Sequence, residues 1–485
     1  MSVQEPASGA RPGGRFDLLR IPALGRFLRW RFARPVLQAI LLVAAAAIVL
    51  HGFFGPRLAP QNLATLLTWI HYRGILVLVL VAAGNLFCMG CPFMLPRNLA
   101  RRFFKPVLNW PRWLRNKWLA IALFVAILFA YERYALWGAP RWTAALILAY
   151  FVAALLIDGL FRNASFCKYV CPLGQYNFTA SMVSPLEVAV ADPDVCATCT
   201  THDCIRGRRD PAGEIVQRGC ELALFQPLKV GNTDCTFCLD CVHACPYDNV
   251  AITTRLPGSE LWNDQRRSGV GRLSQRKDLA ALALLFVFGG LINAFAMVHP
   301  AHALQAWLGG IFRLSSESAT LGLLFLVMLV LAPALLLASA AGMTRAATRA
   351  SEPILSVITR FAYALIPMGL GVWLAHYAFH LLTGLWTVVP VTQQALRDLG
   401  LTWVGEPHWM LTGLPEEYVA PLEIGFLALG WVASLVVAFR IAERDHPARP
   451  APAFLPWAAV ATVVLAAAVW TMGQPMAMRG SMMGM

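Results

Sequence analysis

Residues 235–246 read Cys235-Thr-Phe-Cys238-Leu-Asp-Cys241-Val-His-Ala-Cys245-Pro246. In the spacing C-x2-C-x2-C-x3-C-P, three close thiolates bind one face of an iron–sulfur cube, and the fourth cysteine, before a proline, reaches a second cluster. A zinc site is the alternative, but zinc knuckles usually combine two well-separated C-x2-C pairs or add histidine. The stretch therefore predicts an electron carrier with two clusters.

A second, irregular group of cysteines precedes this motif: Cys196, Cys199 and Cys204, and then Cys220 sixteen residues further on. Because the fourth cysteine of each run binds the other cluster in two-cluster ferredoxins, the order of the cysteines predicts two ligand sets. Set A is Cys196, Cys199, Cys204 and Cys245; set B is Cys220, Cys235, Cys238 and Cys241. Each set is expected to bind a [4Fe–4S] cluster, although the irregular spacing of set A leaves an altered or [3Fe–4S] cluster open.

The composition is that of a polytopic membrane protein. Hydrophobic residues make up 58% of the chain, charged residues only 14%, and the mean hydropathy is +0.59, whereas soluble domains contain about 25% charged residues. About nine stretches are long and apolar enough to cross a bilayer. They lie near residues 36–54, 64–87, 117–136, 142–160, 279–299, 318–341, 361–382, 421–441 and 453–471. The expected fold class is mainly α: a membrane helix bundle with an inserted cytoplasmic ferredoxin-like domain.

Basic residues predict the orientation, because Lys and Arg concentrate in the cytoplasmic loops of membrane proteins. The N-terminal segment carries Arg11, Arg15, Arg20, Arg26, Arg29, Arg31 and Arg34. Loops after even-numbered spans are also basic, with Arg97, Arg101, Arg102, Lys105, Arg112, Arg115, Lys117, Arg272, Arg276, Lys277, Arg345, Arg349, Arg360, Arg440 and Arg444. The opposite loops are poorer in basic residues, although Arg57, Arg73, Arg133, Arg141 and Arg397 fall there.

This pattern predicts a multi-pass protein of the bacterial inner membrane with a cytoplasmic N-terminus and an outer C-terminus. No secretory signal is expected, because the first apolar run is span-length and follows a long basic segment. The net charge of +14 is interpreted as facing membrane lipid, and a nucleic-acid partner is not expected.

Five regions are predicted. Residues 1–35 form a basic cytoplasmic segment, 36–172 a four-helix membrane unit, 173–277 a cytoplasmic ferredoxin-like domain, 278–471 a five-helix membrane bundle and 472–485 a methionine-rich outer tail. The region 173–277 is polar and holds eight of the twelve cysteines. The cytoplasm is reducing, so these thiols are expected to bind metal rather than to form disulfides.

The first membrane unit contains an internal repeat. Two spans end in Phe87-Cys88-Met-Gly-Cys91-Pro92, and the next two end in Phe166-Cys167-Lys-Tyr-Val-Cys171-Pro172. Both cysteine pairs are therefore expected at the same membrane face, where Cys88, Cys91, Cys167 and Cys171, here called the quartet, could meet. Thiolates suit a third iron–sulfur cluster, zinc or Cu(I). Buried thiols that only pack are the alternative.

The paired FCxxCP and FCxxxCP ends, joined to a two-cluster ferredoxin region, resemble the membrane-bound polyferredoxins that accompany periplasmic nitrate reductase and nitrous-oxide reductase, and those of cytochrome oxidase assembly. The resemblance covers about residues 36–255. It implies electron transfer, often from the quinol pool, to periplasmic enzymes or to copper-site maturation. The first pair here is one residue shorter than the CxxxCP of those relatives.

Histidines gather toward the predicted outer face. His376 and His380 are four residues apart on one helix face, and His299 and His51 are expected at similar depth. A haem b site, a quinol site and a copper site that includes the methionine tail are the functional readings. Hydrogen bonding at the membrane interface is the alternative.

Two functions follow. The favoured hypothesis is an electron-transfer subunit of an oxidoreductase complex, in which cytoplasmic clusters exchange electrons with quinone, haem or a partner subunit or cytochrome of a respiratory chain. The second is a metal-handling factor that reduces copper for maturation of another enzyme. A catalyst with its own substrate is least favoured, because the sequence contains no nucleophile–base constellation and no phosphate loop.

Overall fold

The computed structural model describes residues 16–477. The arginines Arg11 and Arg15 and the tail methionines Met478, Met482, Met483 and Met485 lie outside the described residues. Within this range the chain is mainly helical, and eight helices are long and apolar enough to cross a membrane. They are called span 1 to span 8: Ala33–Phe54, Leu63–Ala83, Pro140–Leu160, Lys277–Phe295, Glu317–Thr348, Ile354–Thr383, Glu416–Asp445 and Pro450–Met472.

The remaining predicted span, 117–136, forms the shorter helix Trp118–Arg133 of 16 residues. At its start, the backbone N–H of Lys117 donates to Asp278 at the beginning of span 4. At its end, Arg133 donates to Ser318 at the beginning of span 5. The chain crosses the bundle once, as span 4, before it reaches span 5. The two spans therefore begin at opposite ends of the bundle. The helix Trp118–Arg133 therefore runs the length of the bundle although it is shorter than the eight spans.

Shorter helices connect these spans and fill the insert. The α-helices are Pro22–Arg29, Leu86–Met89, Met94–Phe103, Pro172–Ala180, Pro193–Ala197, Asp203–Arg206, Asp240–Ala244, Ser259–Trp262, His299–Ile311 and Val388–Asp398. Single 3-10 turns are Leu18–Arg20, Ala59–Gln61, Arg112–Leu114, Leu136–Gly138, Ser181–Val183, Gln226–Leu228, Leu273–Gln275, Ala362–Leu365 and Thr402–Val404. π-Helical segments are Leu67–Tyr72, Phe166–Val170 and Val327–Leu331.

The bundle is built around span 4 and span 6, which are buried along most of their length, whereas span 1 and span 3 expose most of theirs. Lipid tails are as apolar as a protein core, so outward-facing side chains such as Val43 need no protein cover. Span 6 crosses span 7 closely at Gly371 and Gly430, where an added Cβ would meet backbone atoms of the other helix. Small residues at such crossings let backbones approach.

The insert contains four short strands: β1 Leu186–Val190, β2 Arg208–Arg209, β3 Ile215–Gln217 and β4 Val250–Thr254. Strands β1 and β4 pair antiparallel, with Leu186 opposite Thr254 and Val190 opposite Val250. Strands β2 and β3 form a separate antiparallel pair. The β1–β4 sheet brackets all eight cysteines of sets A and B, because β1 ends before the first of them and β4 begins after the last.

Buried ion pairs attach the insert to the end of the bundle. Lys117 contacts Asp234 at 2.6 Å, Arg97 contacts Glu221 at 2.7 Å, and both pairs are nearly closed off from solvent. Arg34, at the start of span 1, contacts Asp240 at 2.9 Å. These three basic residues therefore compensate acidic groups of the insert, which corrects the expectation that they face lipid.

Candidate metal centres and the adjoining cavity

The set B motif folds into a tight loop with an unusual backbone. Asp234, Phe237 and Leu239 all adopt left-handed φ values, 59°, 53° and 60°, and each such residue costs about 1–3 kcal/mol unless the surroundings impose it. Cys235 and Cys241 are buried. Alternation of right- and left-handed residues turns successive N–H groups toward one side and makes an anion-binding concavity. The loop thus fits an anionic iron–sulfur cluster.

The structure brings the four cysteines of set B together. Cys220 lies near Cys235, and Cys241 lies near both. Cys238 lies near Cys220 and Cys241. Burial raises the pKa of Cys220 to about 11, against a hydrogen bond donated by the Leu224 N–H at 3.4 Å. Lys168, Arg34 and Lys229 act on Cys220, Cys238 and Cys241 respectively, but burial outweighs them and raises the pKa of each thiol. Bound iron would supply the remaining positive charge that four thiolates require.

Set A lies closer to solvent. Asn249 joins two of its members, because its backbone N–H donates to Cys245 Sγ and its side-chain amide donates to Cys196 Sγ, both at 3.4 Å. Cys204 lies near the other three cysteines of the set. Cys204 also accepts a backbone hydrogen bond from Cys220 at 2.9 Å, which ties set A to set B.

The quartet lines one small cavity of about 40 Å³ at the bundle end. Cys171 caps the helix Pro172–Ala180, and its Sγ accepts from the Gly174 N–H at 3.2 Å; proline suits the first helical position that follows. Cys167 lies within the π-helical segment Phe166–Val170, a geometry found often at functional sites. The two sequence repeats therefore meet, as the matching hairpin ends predict.

Polar and charged groups surround the quartet. Cys88 Sγ accepts from the Asn177 amide at 3.3 Å, and Arg34 and Arg97 line the same cavity. Burial raises the pKa of Cys91 to about 11 even though Arg97 and Arg34 oppose that rise. The thioether of Met94 lies 3.6 Å from Cys167 Sγ. This soft donor set suits iron–sulfur or another thiolate-bound metal.

The quartet adjoins set B through Asn85. The side-chain NH2 group of Asn85 donates to the Cys235 backbone carbonyl at 2.8 Å, and the side-chain oxygen of Asn85 accepts from Cys88 Sγ at 3.2 Å. The preceding Gly84 has φ +63°, and an added Cβ would stand 3.0 Å from the ring of Phe237 in the set B loop. Set A, set B and the quartet therefore follow one another from the solvent side of the insert to the membrane bundle.

A much larger cavity of about 290 Å³ begins at the quartet and extends into the bundle. Its walls are almost entirely apolar and include residues of spans 1, 2 and 3 and of the helix Trp118–Arg133. Cys91 lines both this cavity and the quartet cavity, as do Phe87, Phe93 and Leu173. Arg73, Tyr131, Tyr377 and Asn293 also line the large cavity.

Arg73 is the functional candidate that the sequence interpretation misplaced. It was counted with the outer-loop arginines although the predicted span 64–87 contains it, and the structure places it in the middle of span 2, directly after the π-helical segment Leu67–Tyr72. An arginine inside a membrane span is functional by default. The signal was present as a single basic residue within an apolar run of span length.

The predicted histidines do not converge on one point. His376 and His380 lie on span 6 with ring centroids 5.1 Å apart, and the Nε2 atom of each is buried without a hydrogen-bond partner among the described residues. His51 Nδ1 accepts from the Leu63 N–H at 3.2 Å between spans 1 and 2. His299 is exposed at the start of a helix. Their assignment to haem, quinol or copper stays a prediction.

Between residues 16 and 477, no group of three or more His, Cys, Asp or Glu side chains is arranged to hold a metal ion. In a [4Fe–4S] cluster the four thiolates bind different irons, so they surround the cluster and do not meet at one ion. The ligand assignments of sets A and B and of the quartet therefore stay predictions that rest on donor chemistry and proximity.

Comparison with known proteins gives two distant relatives, both from Escherichia coli. YccM, named as an electron transport protein, is 30% identical over 97 residues, which are 20% of this chain and 23% of YccM. The ferredoxin-type protein NapH is 27% identical over 208 residues, which are 37% of this chain and 66% of NapH. The match thus covers less than two thirds of either relative.

No family model matches the chain, and no solved structure matches it. The two relatives and the eight apolar helices indicate a membrane electron-transfer protein of ferredoxin type. They support a polyferredoxin-like protein with iron–sulfur chemistry in general, and the resemblance that the sequence motifs indicate agrees with them at this level.

Proposed function

We propose that this protein is an iron–sulfur electron-transfer subunit of a bacterial inner membrane. Sets A and B each bind one [4Fe–4S] cluster in a cytoplasmic ferredoxin-like domain of about residues 173–277, and the quartet binds a third thiolate-held metal centre. Electrons pass along these three centres between the cytoplasmic face and a quinone, a haem or a partner oxidoreductase of a respiratory chain.

One observation carries the proposal: the side chain of Asn85 bonds both Cys88 of the quartet and the Cys235 carbonyl of set B. A single residue therefore separates the membrane-edge thiols from those of the insert. Electron carriers must lie close together, because roughly 30 Å of hydrocarbon is too far for one efficient step. A centre at the quartet would supply the intermediate position between the insert and the bundle.

Serine substitutions test the three centres separately. Cys199→Ser, Cys238→Ser and Cys91→Ser remove one thiolate from set A, set B and the quartet. In anaerobically purified protein, we expect each of the first two to lower the iron content by up to about four atoms and to remove one electron paramagnetic resonance signal. Ser165→Ala, which removes a hydroxyl bonded to a local carbonyl, is the control. Unchanged iron in Cys238→Ser would exclude the assignment of set B.

A copper-handling role is the second candidate, and one observation favours it. The described part of the methionine-rich tail pairs with the segment that carries His299 and His302: Met476 lies opposite Val298, and Ala477 N–H donates to Met297 O at 2.8 Å. Thioether and imidazole groups are copper ligands. If this role is correct, the purified protein retains Cu(I) and loses it in Met476→Leu; if the respiratory role is correct, quinone reoxidises the reduced clusters without copper.

A further inference from the structure

We propose that the 290 Å³ cavity is the quinone site of this protein, with Arg73 binding a carbonyl oxygen of the ring and the quartet exchanging electrons with the bound ring. The inference rests on the proposed function; it selects quinone among the partners named there and adds the cavity that binds it and the residue that positions it. The cavity joins two features that a quinone site needs, a buried hydrogen-bond donor and a nearby electron carrier, within one apolar enclosure.

The guanidinium of Arg73 lies among aromatic rings. Its centre is 4.5 Å from the ring centroid of Tyr377 and 5.1 Å from those of Trp69 and Tyr131. It donates to the Trp69 carbonyl at 2.8 Å and to the Tyr131 hydroxyl at 3.1 Å. A guanidinium has five N–H donors; Trp69 and Tyr131 take two of them and Tyr377 interacts with a third. Donors therefore remain for a ligand that enters the cavity.

Other polar groups lie at the same place. Tyr176 lines the cavity and is only 6% exposed, and its hydroxyl has no hydrogen-bond partner among the described residues. Tyr377 contacts Asn293 at 3.4 Å between the hydroxyl and the amide oxygen. Burying a hydroxyl without a partner is unfavourable, so Tyr176 is a second candidate donor to the ligand.

The cavity walls decide the ligand class. Beyond Arg73, Asn293 and the tyrosines, the lining is mostly aliphatic and aromatic, which suits a flat ring and an isoprenoid chain. No histidine of the described chain lines the cavity, so a haem would lack its usual imidazole ligand there. Cys91 lines the wall nearest the quartet, which brings a bound ring beside the third centre. A phospholipid is the competing occupant.

Quinone-dependent reoxidation tests the site in the full-length protein in detergent. Dithionite reduces the clusters, excess dithionite is removed, and decylubiquinone is added. Each quinone takes two electrons from two reduced clusters and two protons from water to give the hydroquinone. Cluster absorbance reports the rate. For Arg73→Gln we expect the quinone concentration at half-maximal rate to rise about 10-fold to 100-fold, with iron content and ferricyanide reoxidation unchanged. Arg57→Gln, an exposed loop arginine, is the control.

A second variant covers the case in which Arg73→Gln does not fold. Ala45 is buried in span 1 and lines the cavity, whereas Val43 on the same helix faces outward. Ala45→Trp should block reoxidation by decylubiquinone but not by ferricyanide, and Val43→Trp should change neither. Wild-type quinone dependence in Ala45→Trp with intact clusters would overturn the quinone site. So would a tightly held phospholipid that decylubiquinone does not displace. Absence of clusters from the wild-type protein would instead overturn the proposed function.

Discussion

Arg97, Asp158 and Glu221 form an ion triad at the junction of the bundle and the insert. Arg97 Nη1 contacts Asp158 at 3.0 Å, Arg97 Nη2 contacts Glu221 at 2.7 Å, and Arg97 and Asp158 are fully buried. Removing one partner of a buried ion pair leaves an uncompensated charge. The triad therefore fixes the position of the helix Met94–Phe103 beside the quartet.

Substitution of Arg97 should be severely destabilising. We expect Arg97→Gln to lower the free energy of unfolding by about 3–5 kcal/mol, because the buried Asp158 loses its ion-pair partner and Glu221 keeps only its longer contacts with Arg218 and Arg34. Arg101→Gln is the matched control, since Arg101 is one turn further along the same helix, is partly exposed and donates to backbone carbonyls. Chemical denaturation in detergent measures both. Equal losses in the two variants would contradict the role of the triad.

Sequence spacing predicts local groups of residues but not these partners. The grouping of cysteines into set A, set B and the quartet follows from short spacers and from a repeat, which are visible in one chain. Arg97 and Glu221 are 124 positions apart, and nothing in either local sequence selects the other. The contact of Met94 with Cys167 across 73 positions was equally invisible.

At the level of elements, the close approach of span 2 to the set B loop depends on Gly84. Its φ of +63° and ψ of −142° suit glycine, and a Cβ would crowd Phe237 and Ser184. Gly84→Ala should cost about 2–4 kcal/mol through backbone strain and overpacking and should lower iron retention. Gly159→Ala in span 3, where a Cβ meets nothing within 4 Å, should retain wild-type iron. Equal iron retention in both variants would refute this role.

The loop from Gly231 to Thr233 is held by Glu260. This buried carboxylate accepts from the Asn232 N–H at 2.6 Å and pairs with Arg255 and Arg267, each at 2.9 Å. Burial alone would raise the pKa of Glu260, but the two arginines and the hydrogen bonds hold it below its ordinary value. The carboxylate therefore stabilises the fold above about pH 4.5, and this contribution is lost as the pH falls through the folded-state pKa.

Glu260→Gln tests that linkage. The variant should unfold at a lower temperature than wild type at pH 7, and the difference should shrink below about pH 4.5 as the wild-type carboxylate becomes protonated. Tryptophan fluorescence measures the melting temperatures of both proteins between pH 3.5 and 7. Acid effects that are common to both proteins cancel in the difference between these temperatures. A pH-independent difference would show that the charge of Glu260 is not what stabilises the loop.

The presence of helices could be predicted from the sequence better than their end residues or the surroundings of the polar side chains within them. Each of the nine predicted spans contains a helix in the structure, because apolar length alone identifies a candidate crossing. The helix Trp118–Arg133 proved shorter than its predicted span, and Arg73 lies inside span 2, as the span bounds 64–87 imply, and not in the outer loop to which it was assigned. Periodicity cannot reveal that the guanidinium of Arg73 packs against the rings of Tyr131 and Tyr377, because these residues are distant in sequence.

For the whole molecule, the number of membrane crossings decides on which side of the membrane the C-terminus lies. Eight crossings would return the C-terminus to the side of the N-terminus, whereas nine, with Trp118–Arg133 included, place the two ends on opposite sides. We expect the second arrangement, with sets A and B on the cytoplasmic side. Alkaline phosphatase fused after residue 485 should be active, and the same enzyme fused within the β2–β3 hairpin should be inactive. The reverse result would contradict the predicted orientation.

Iron and acid-labile sulfide analysis of anaerobically purified, full-length protein tests the central claim most directly, because every step of electron transfer proposed here depends on clusters held by sets A and B. We predict at least about eight iron and eight sulfide atoms per polypeptide, the content of two [4Fe–4S] clusters, with more iron if the quartet also binds a cluster. Iron and sulfide far below that content, with the protein folded, would contradict the account.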